Sequence, residues 1–365
     1  MGVKLQNIIV RKQIDIQDLQ GKIIAIDAPN IIMGLFNFIN KNQDGSYAGL
    51  ILDRTQRPIS HLYGLLYRIN FMYRKKIFPI FCFDGKISKL KRVITKDQLK
   101  DFLFVQQWYK EAQQNHNYEL ARQIALGKEY MWQNIVKESK QLLGALGVPY
   151  IESPGSAESQ CAYLIKQGIA QFSNSQDFDS LLFGCPYIIQ NLSKSLRRKV
   201  QGRWQYQKIQ PLSIDLKKNL NNLNISIFQL VDMGILIGTD YFTGIKGIGA
   251  KKALDLIRKY KNLEKLKLKE YLTYDFKDLT PRIIKKVRRI FLIPDINKYT
   301  SNIAWNSPHK SRVISLLCKE HHLNKDRVMK NLENLEKNYY TCRKYFMFLK
   351  EHSKFTQVSL DNIIS

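Results

Sequence analysis

Apolar and polar residues follow one another along this chain in two rhythms. Short runs with almost no polar interruption stand at GKIIAIDA (21–28) and IFPIFCFD (77–84), with weaker ones at 148–152, 169–174 and YIIQNL (187–192). Runs of this length and composition are what strands covered on both faces require. RWQYQKI (203–209) alternates instead and predicts an edge strand. Elsewhere the apolar positions recur at helical spacing. HLYGLLYRINFMYRKK (61–76), the nearly turn-free block 97–144, the amphipathic AKKALDLIRKYKN (250–262) and the part beyond 280 predict helices. Buried strands separated by long helices predict an α/β fold: a mainly parallel central sheet with helices on both faces. No internal repeat and no Pro/Gly/Ser linker divides the chain.

Composition narrows the function. At roughly 150 residues per domain, 365 residues allow one large domain or two ordinary ones. With 44% hydrophobic and 24% charged residues the chain can bury a core, which excludes a disordered polymer. Lys and Arg total 58 against 31 Asp and Glu, a net charge of +27. Such a field favours a polyanion, first of all nucleic acid; a Lys-rich solvated surface is the plainer alternative. Cys82, Cys161, Cys185, Cys318 and Cys342 show no CxxC spacing, which argues against zinc and against a disulfide framework and fits thiols in a reducing, intracellular setting. His321 and His322 are adjacent but have no partner at ligand spacing. No charge-free apolar stretch of about 18 residues predicts a membrane span. MGVKLQNIIVRKQ lacks a signal-peptide pattern, and Gln6 stands where a myristoylation signal needs Ser or Thr.

The acids are few, and several stand at strand ends. AIDAPN ends in Asp27 and FCFDGK in Asp84; SNSQDFDSLLFG carries Asp177 and Asp179 just after an apolar run. Glu158 follows SPGS, where Ser153 as N-cap and Pro154 at the first position predict a helix start. Asp240 lies in ILIGTDYFTG. In open α/β sheets ligands bind beyond the carboxyl ends of the strands. Carboxylates converging there repel one another unless a cation lies between them. Hard divalent ions take oxygen ligands, so five or six acids suit two ions about 3.5–4 Å apart, the arrangement for in-line phosphodiester hydrolysis. Taken singly, each Asp reads first as a turn or cap residue; the pattern is informative because the acids recur at strand ends in a chain poor in acid.

GTDYFTGIKGIGAKK (238–252) surrounds Lys246 with Gly244, Gly247 and Gly249, and Lys251 and Lys252 open the following helix. Glycines let amides approach a phosphate, and a helix N-terminus adds positive charge. Between two helices, this hairpin suits sequence-independent gripping of a nucleic-acid backbone. An ordinary helix–helix turn is the alternative.

Together these segments resemble the flap endonucleases, the structure-specific 5′ nucleases of the XPG superfamily, and most closely the archaeal type. GKIIAIDAPNIIMGLF, SHLYGLLYRINFMYRKKIFPIFCFDGK, SPGSAESQCAYLIKQG, SQDFDSLLFGCP and GTDYFTGIKGIGAKKAL follow in the family's order, and NIAWNSPHK and CKEHHLNKDRV match in the C-terminal part. The resemblance implies a Mg2+-dependent nuclease, with Mn2+ able to substitute, that cuts 5′ flaps of branched DNA in replication and repair and has 5′–3′ exonuclease activity. The ligands of two ions would be Asp27, Asp84, Glu158, Asp177, Asp179 and Asp240. The hairpin would bind the duplex backbone, with K+ on main-chain carbonyls of 244–249. A helical arch over 86–132 would pass the single-stranded 5′ end, with Lys86, Lys89, Arg92 and Lys96 on the strand and Lys91 on the scissile phosphate. The implied layout is one nuclease domain over 1–345. It comprises an N-terminal region 1–100, an internal region 140–270 with a helix–hairpin–helix-like motif at 238–262, and C-terminal helices 280–345; a tail follows over 346–365. The family's setting would be the cytoplasm of an archaeon or the nucleus of a eukaryote, with a monomer and no membrane.

Departures from the family pattern carry their own expectations. Ser156 replaces the first of two glutamates, which removes a charge from the metal site. Gln98 replaces a basic arch residue, with Lys96 and Lys100 nearby. Met33 replaces a stacking aromatic. Phe102, Phe104, Trp108 and Tyr109 place aromatics in the arch, either to stack on bases or to pack its helices. Gln357, Leu360, Ile363 and Ile364 resemble a sliding-clamp (PCNA) box whose aromatic pair has become isoleucine, which predicts weak clamp binding; a frayed tail is the alternative. A nuclease homologue that has lost its chemistry and persists as a DNA-binding scaffold is the rival expectation.

Overall fold

A computed structural model describes residues 2–36, 40–41, 47–48, 51–55, 57–85, 107–125, 128–192, 195–200, 203–300 and 303–352. The strands in chain order are β1 (Lys12–Gln13), β2 (Lys22–Asp27), β3 (Asn40–Lys41), β4 (Tyr47–Ala48), β5 (Ile77–Phe83), β6 (Tyr150–Glu152), β7 (Phe172–Asn174), β8 (Tyr187–Gln190), β9 (Ser195–Val200), β10 (Arg203–Lys208) and β11 (Leu212–Asp215). The helices are α1 (Ala28–Phe36), α2 (Ser60–Arg74), α3 (107–114), α4 (Tyr118–Ala125), α5 (Lys128–Ala145), α6 (Ala157–Lys166) and α7 (Asp179–Leu182). There follow α8 (Leu216–Leu223), α9 (Ile227–Ile237), α10 (Ala250–Tyr260), α11 (Leu263–Lys269), α12 (Pro281–Leu292), α13 (Lys310–Ile314) and α14 (Lys325–His352).

Seven strands form one sheet in the order β1-β11-β8-β7-β2-β5-β6. β2 pairs in parallel with both β5 and β7, β5 with β6, and β7 with β8; β11 and β1 add an antiparallel edge. The sheet is therefore mainly parallel, as the buried runs predict. Every residue of β5, and all of β2 but Lys22, is buried. The chain leaves β2 toward β5 and β6, then returns across the sheet to β7. Helix α1 packs against β2 and β5, α2 against β5, and α6 against β2, β5 and β7. The switch of direction lies between β2 and β7, where α/β folds bind ligands. The expected edge strand at 203–209 falls elsewhere: β10 pairs with β9 in a separate two-stranded hairpin, and the sheet edge is β1 with β11.

Aromatic packing fastens the C-terminal helix to this core. Phe78 of β5 meets Phe346 at 4.5 Å and Trp305 at 4.9 Å between ring centroids, and Tyr339 donates to the Trp305 carbonyl at 2.7 Å. Helix α14 continues to His352, beyond the expected boundary at 346. No single helix among the described residues is long and apolar enough to cross a membrane. All five cysteines are free, and only Cys318 is less than fully buried.

A buried ionic cluster joins four segments of the chain. His61 Nε2 lies 3.0 Å from Glu138 Oε2, His321 Nδ1 lies 2.9 Å from Asp53 Oδ2, and Arg57 Nε donates to Asp53 at 3.0 Å. Tyr109 and Gln113 of α3 both donate to the Thr55 carbonyl in the same loop. Burial alone would raise the Asp53 carboxyl, but the hydrogen bonds from His321, Thr55 and Arg57 hold it near 2, against an ordinary 3.8. Its folded value is depressed, so it stabilises the fold above about pH 4, and that stabilisation is lost as the pH falls toward 2. Thermal melts from pH 6 to pH 2 are expected to show a steep acid limb that Asp53→Asn makes shallower. An unchanged acid limb in the variant would show that Asp53 does not govern it.

Candidate active site

Parallel pairing brings the carboxyl ends of β2, β5, β6 and β7 to one edge of the sheet. Asp27 closes β2, Asp84 follows β5, and Asp177 and Asp179 follow β7. Glu158 sits in the first turn of α6, and Asp240 in the turn after α9 that a 239–242 bridge closes. Asp27 and Asp179 are only 3% and 5% exposed, whereas Asp84 is open to solvent.

The local framework is built from neutral groups. Asp27 accepts from the Asn30 backbone amide at 3.3 Å and from the Ser175 hydroxyl at 2.8 Å. Asn30 donates through Nδ2 to Asp177 at 3.0 Å and accepts from the Gln176 amide, tying α1 to the segment after β7. Asp84 accepts from the Ala157 amide at 2.8 Å, so the first turn of α6 holds it. The Val3 amide donates to Asp179 at 2.6 Å, and a Cβ on Gly2 would touch Asp177 at 3.0 Å. The N-terminal segment thus forms one wall.

The acids feel one another. Burial raises Glu158 well above the ordinary carboxylate range, and the charges of Asp27, Asp179, Asp84 and Asp177 push it further. Burial, then Asp84, brings Asp27 up to about 7 despite the opposing hydrogen bonds of Ser175 and Asn30. Burial also raises Asp179 to about 6, against the Val3 hydrogen bond, and Asp240 and Asp177 add to the rise. Six carboxyls from five separate segments of the chain therefore share one electrostatic neighbourhood. Concentrated repulsion of this kind is a mark of functional sites.

Helix α6 starts later than its sequence suggests. Ser156, not Ser153, is the N-cap: its side chain accepts from the Ser159 amide at 3.2 Å. Ser153 and Pro154 belong to a loop laced to the end of β5, with Ser153 N donating to the Phe83 carbonyl and Gly85 N to the Gly155 carbonyl. Thus Ser156, which departs from the family pattern, orients the helix whose first amide binds Asp84. Glu152 pairs with Lys140 at 2.8 Å and is not among the charges acting on Glu158.

The hairpin after α9 is shaped by its glycines. Gly244 has φ +83°, and a Cβ there would lie 2.6 Å from the Ile237 carbonyl carbon. Gly247 also has φ +83°, and Gly249 has an ordinary φ; a Cβ on either would meet nothing of the protein within 4 Å. Ile245 and Ile248 are buried beneath, while Lys246, Lys251, Gly247 and Gly249 face outward. Lys252 lies 4.8 Å over the Tyr274 ring. Behind the hairpin, Arg288 of α12 grips buried Asp232 of α9 at 2.7 Å and Glu264 of α11 at 2.6 Å. Arg288 therefore turns inward from the basic face carried by Arg282, Lys285, Lys286 and Arg289.

Of the expected arch residues, Lys86, Lys89, Lys91, Arg92, Lys96, Gln98, Lys100, Phe102 and Phe104 lie outside the described residues, as do Gln357, Leu360, Ile363 and Ile364 of the tail. The two described arch aromatics differ. Tyr109 is buried with Ala112, Ala121 and Ile124, whereas Trp108 is 45% exposed. Met33 is exposed beside the site-bearing end of α1.

Comparison with known proteins gives the family. Residues 1–100 match the XPG N-terminal domain and residues 147–240 the XPG I-region. Flap endonuclease 1 of Methanobrevibacter smithii is 38% identical over 337 residues, covering 92% of this chain and 96% of the relative. Flap endonuclease 1 of Staphylothermus marinus is 36% identical over 99% of both chains. Among solved structures, flap endonuclease-1 from Methanococcus jannaschii superposes with a TM-score of 0.70 at 28% identity, covering 93% of this chain and 99% of that one. The chain is therefore a member of the flap endonuclease family of XPG nucleases.

Proposed function

We propose that this chain is a structure-specific 5′ flap endonuclease that hydrolyses a phosphodiester bond of branched DNA near the single-strand/duplex junction, in replication and repair. The observation that carries this reading is the shared field of Asp27, Asp84, Glu158, Asp177, Asp179 and Asp240 at the switch point of the sheet. The donors are hard oxygens, and their mutual repulsion is relieved by cations. Among the described residues no three acids close on a ready-made ligand cage. Water would complete the coordination, as Mg2+ requires more than other ions do. Two Mg2+ ions, or Mn2+ in their place, would lower the pKa of the attacking water and offset charge on the attacking and leaving oxygens.

The chain's own groups do the positioning. Ser175, Asn30 and the Val3 amide aim the buried acids, the first turn of α6 holds Asp84, and the hairpin 244–249 takes the duplex backbone with Lys246, Lys251 and Lys252 beside it. Lys91, with Lys86, Lys89, Arg92 and Lys96, is assigned to the strand that carries the scissile phosphate. The same site supports 5′–3′ exonuclease action. K+ on the hairpin carbonyls, weak clamp binding through the tail and a monomeric state complete the proposal, with a cytoplasmic setting in an archaeon or a nuclear one in a eukaryote.

Ser156 motivates one rival, a catalytically weakened homologue that serves as a DNA-binding scaffold. A flapped duplex with Mg2+ or Mn2+ separates the two. The nuclease reading expects incision at the junction; tight binding with no incision at any metal concentration would favour the scaffold.

A further inference from the structure

The opposite end of the sheet from the carboxyls carries a second concavity. A groove of about 970 Å3 opens between the N-terminal segment, the end of α6, and the β8–β11 edge. Ile14, Ile165, Ala170, Phe172 and Tyr187 give it an apolar lining, and Arg11, Lys12, Lys22 and Lys218 stand around it with Asp215. Its polar wall is already engaged in the fold. Gln171 accepts from the Ile23 amide, Asn219 bridges the Val10 amide and carbonyl, and Asp215 caps α8. Val10 and Tyr187 are its exposed apolar side chains, at 59% and 43%, Ile14 and Phe172 are half-buried, and Ile165 and Ala170 form its floor; the Tyr187 ring stands edge-on to Phe172 at 5.9 Å.

The last described helix ends beside this groove. A Cβ on Gly21 would overlap Leu349 and lie 3.4 Å from Tyr345, and Lys76 lies 4.2 Å over the Tyr345 ring. The end of α14 is thus fixed at the start of β2, and Lys22, the next residue, already lines the groove. β7, which carries Phe172, is the strand adjacent to β2. Adjacent strands lie about 5 Å apart, so the groove begins within a few residues of His352. Residues 353–365 read SKFTQVSLDNIIS. At about 3.3 Å per residue they can span roughly 40 Å, more than the groove requires. Their composition suits it: Val358, Leu360, Ile363 and Ile364 are apolar, and Asp361 stands among them to face Arg11 and Lys12, while Lys218 already pairs with Asp215 at 3.5 Å.

We propose that the segment 353–365 docks in this groove on its own chain, with Leu360, Ile363 and Ile364 over Ile165, Phe172 and Tyr187. Tethering makes a weak seat sufficient, because a short linker holds the segment at an effective concentration of about millimolar. While docked, those three side chains are withheld from any other protein. The far end of the sheet thereby controls the availability of the tail without touching the carboxyl site.

Hydrogen–deuterium exchange on the full chain tests this. The unaltered protein is compared with a full-length Leu360→Asp/Ile364→Asp variant. Backbone amides of 10–14, 168–172 and 213–219 are expected to exchange several-fold faster in the variant, while those of β2 and β5 stay unchanged. The free peptide 353–365, added to the variant at about millimolar concentration, should restore the slow exchange, and a further Tyr187→Ala change should abolish that restoration. Equal exchange in the two proteins would overturn the proposal. So would protection that rises with protein concentration, because a second copy would then occupy the groove.

Discussion

Asp27→Asn is expected to abolish incision while raising the thermal stability of the metal-free protein. Asp27 is buried among the repelling acids, facing the charges of Asp84 and Asp177, and is held by Ser175 and Asn30. An amide keeps the shape and one acceptor oxygen but removes a charge that burial and Asp84 both disfavour. The loss of metal-assisted chemistry should slow the cut by at least about a thousandfold, or ~4 kcal/mol of barrier. The relief of repulsion should add roughly 0.5–2 kcal/mol to stability, as other relieved functional sites do. Binding to the flapped duplex should be largely kept. The two readouts together discriminate, because a residue needed only for the fold would lose stability on substitution. A variant that both melts earlier and stops cutting would mean that Asp27 is structural.

Gly85→Ala should be nearly as damaging, although Gly85 bears no chemistry. A Cβ there would overlap the Ser153 carbonyl oxygen and lie 2.9 Å from its carbon. The clash is with backbone, so no side-chain rotation relieves it. The loop 153–155 must move off the end of β5, and it leads directly into α6, whose first amide holds Asp84 and whose first turn carries Glu158. Overpacking costs typically 1–3 kcal/mol of stability, and a displacement of about 1 Å between reacting groups can cost a hundredfold in rate. Incision is therefore expected to fall by about a hundredfold with a lowered melting temperature. Wild-type incision by Gly85→Ala would show that this close approach does not position the site.

Much of the fold was legible because β2 and β5 are buried on both faces and must be continuous apolar runs. β1 (KQ) and β11 (LSID) were not, since such short mixed segments are held by edge pairing rather than by burial. The alternation in 203–209 was real, but a tight hairpin with β9 satisfies it as well as a sheet edge does. Among site residues, the acids were legible because parallel strands present their carboxyl ends together. The neutral framework was hidden. Ser175 and Asn30 look like ordinary turn residues, and only their spacing, two before Asp177 and three after Asp27, hints at caps. The Val3 amide has no side-chain signal at all. Ser-Pro at 153–154 imitates a helix start, but the loop pinned at Gly85 uses those residues, and the cap passes to Ser156.

The central claim is that Asp27, Asp84, Glu158, Asp177, Asp179 and Asp240 together hold divalent cations. Anomalous diffraction from crystals of the protein with a flapped duplex and Mn2+ tests it most directly. The account predicts two Mn2+ peaks about 3.5–4 Å apart within this group of carboxyls, and the loss of at least one in Asp27→Asn. Mn2+ bound elsewhere, with these carboxyls left protonated and paired to one another, would contradict it.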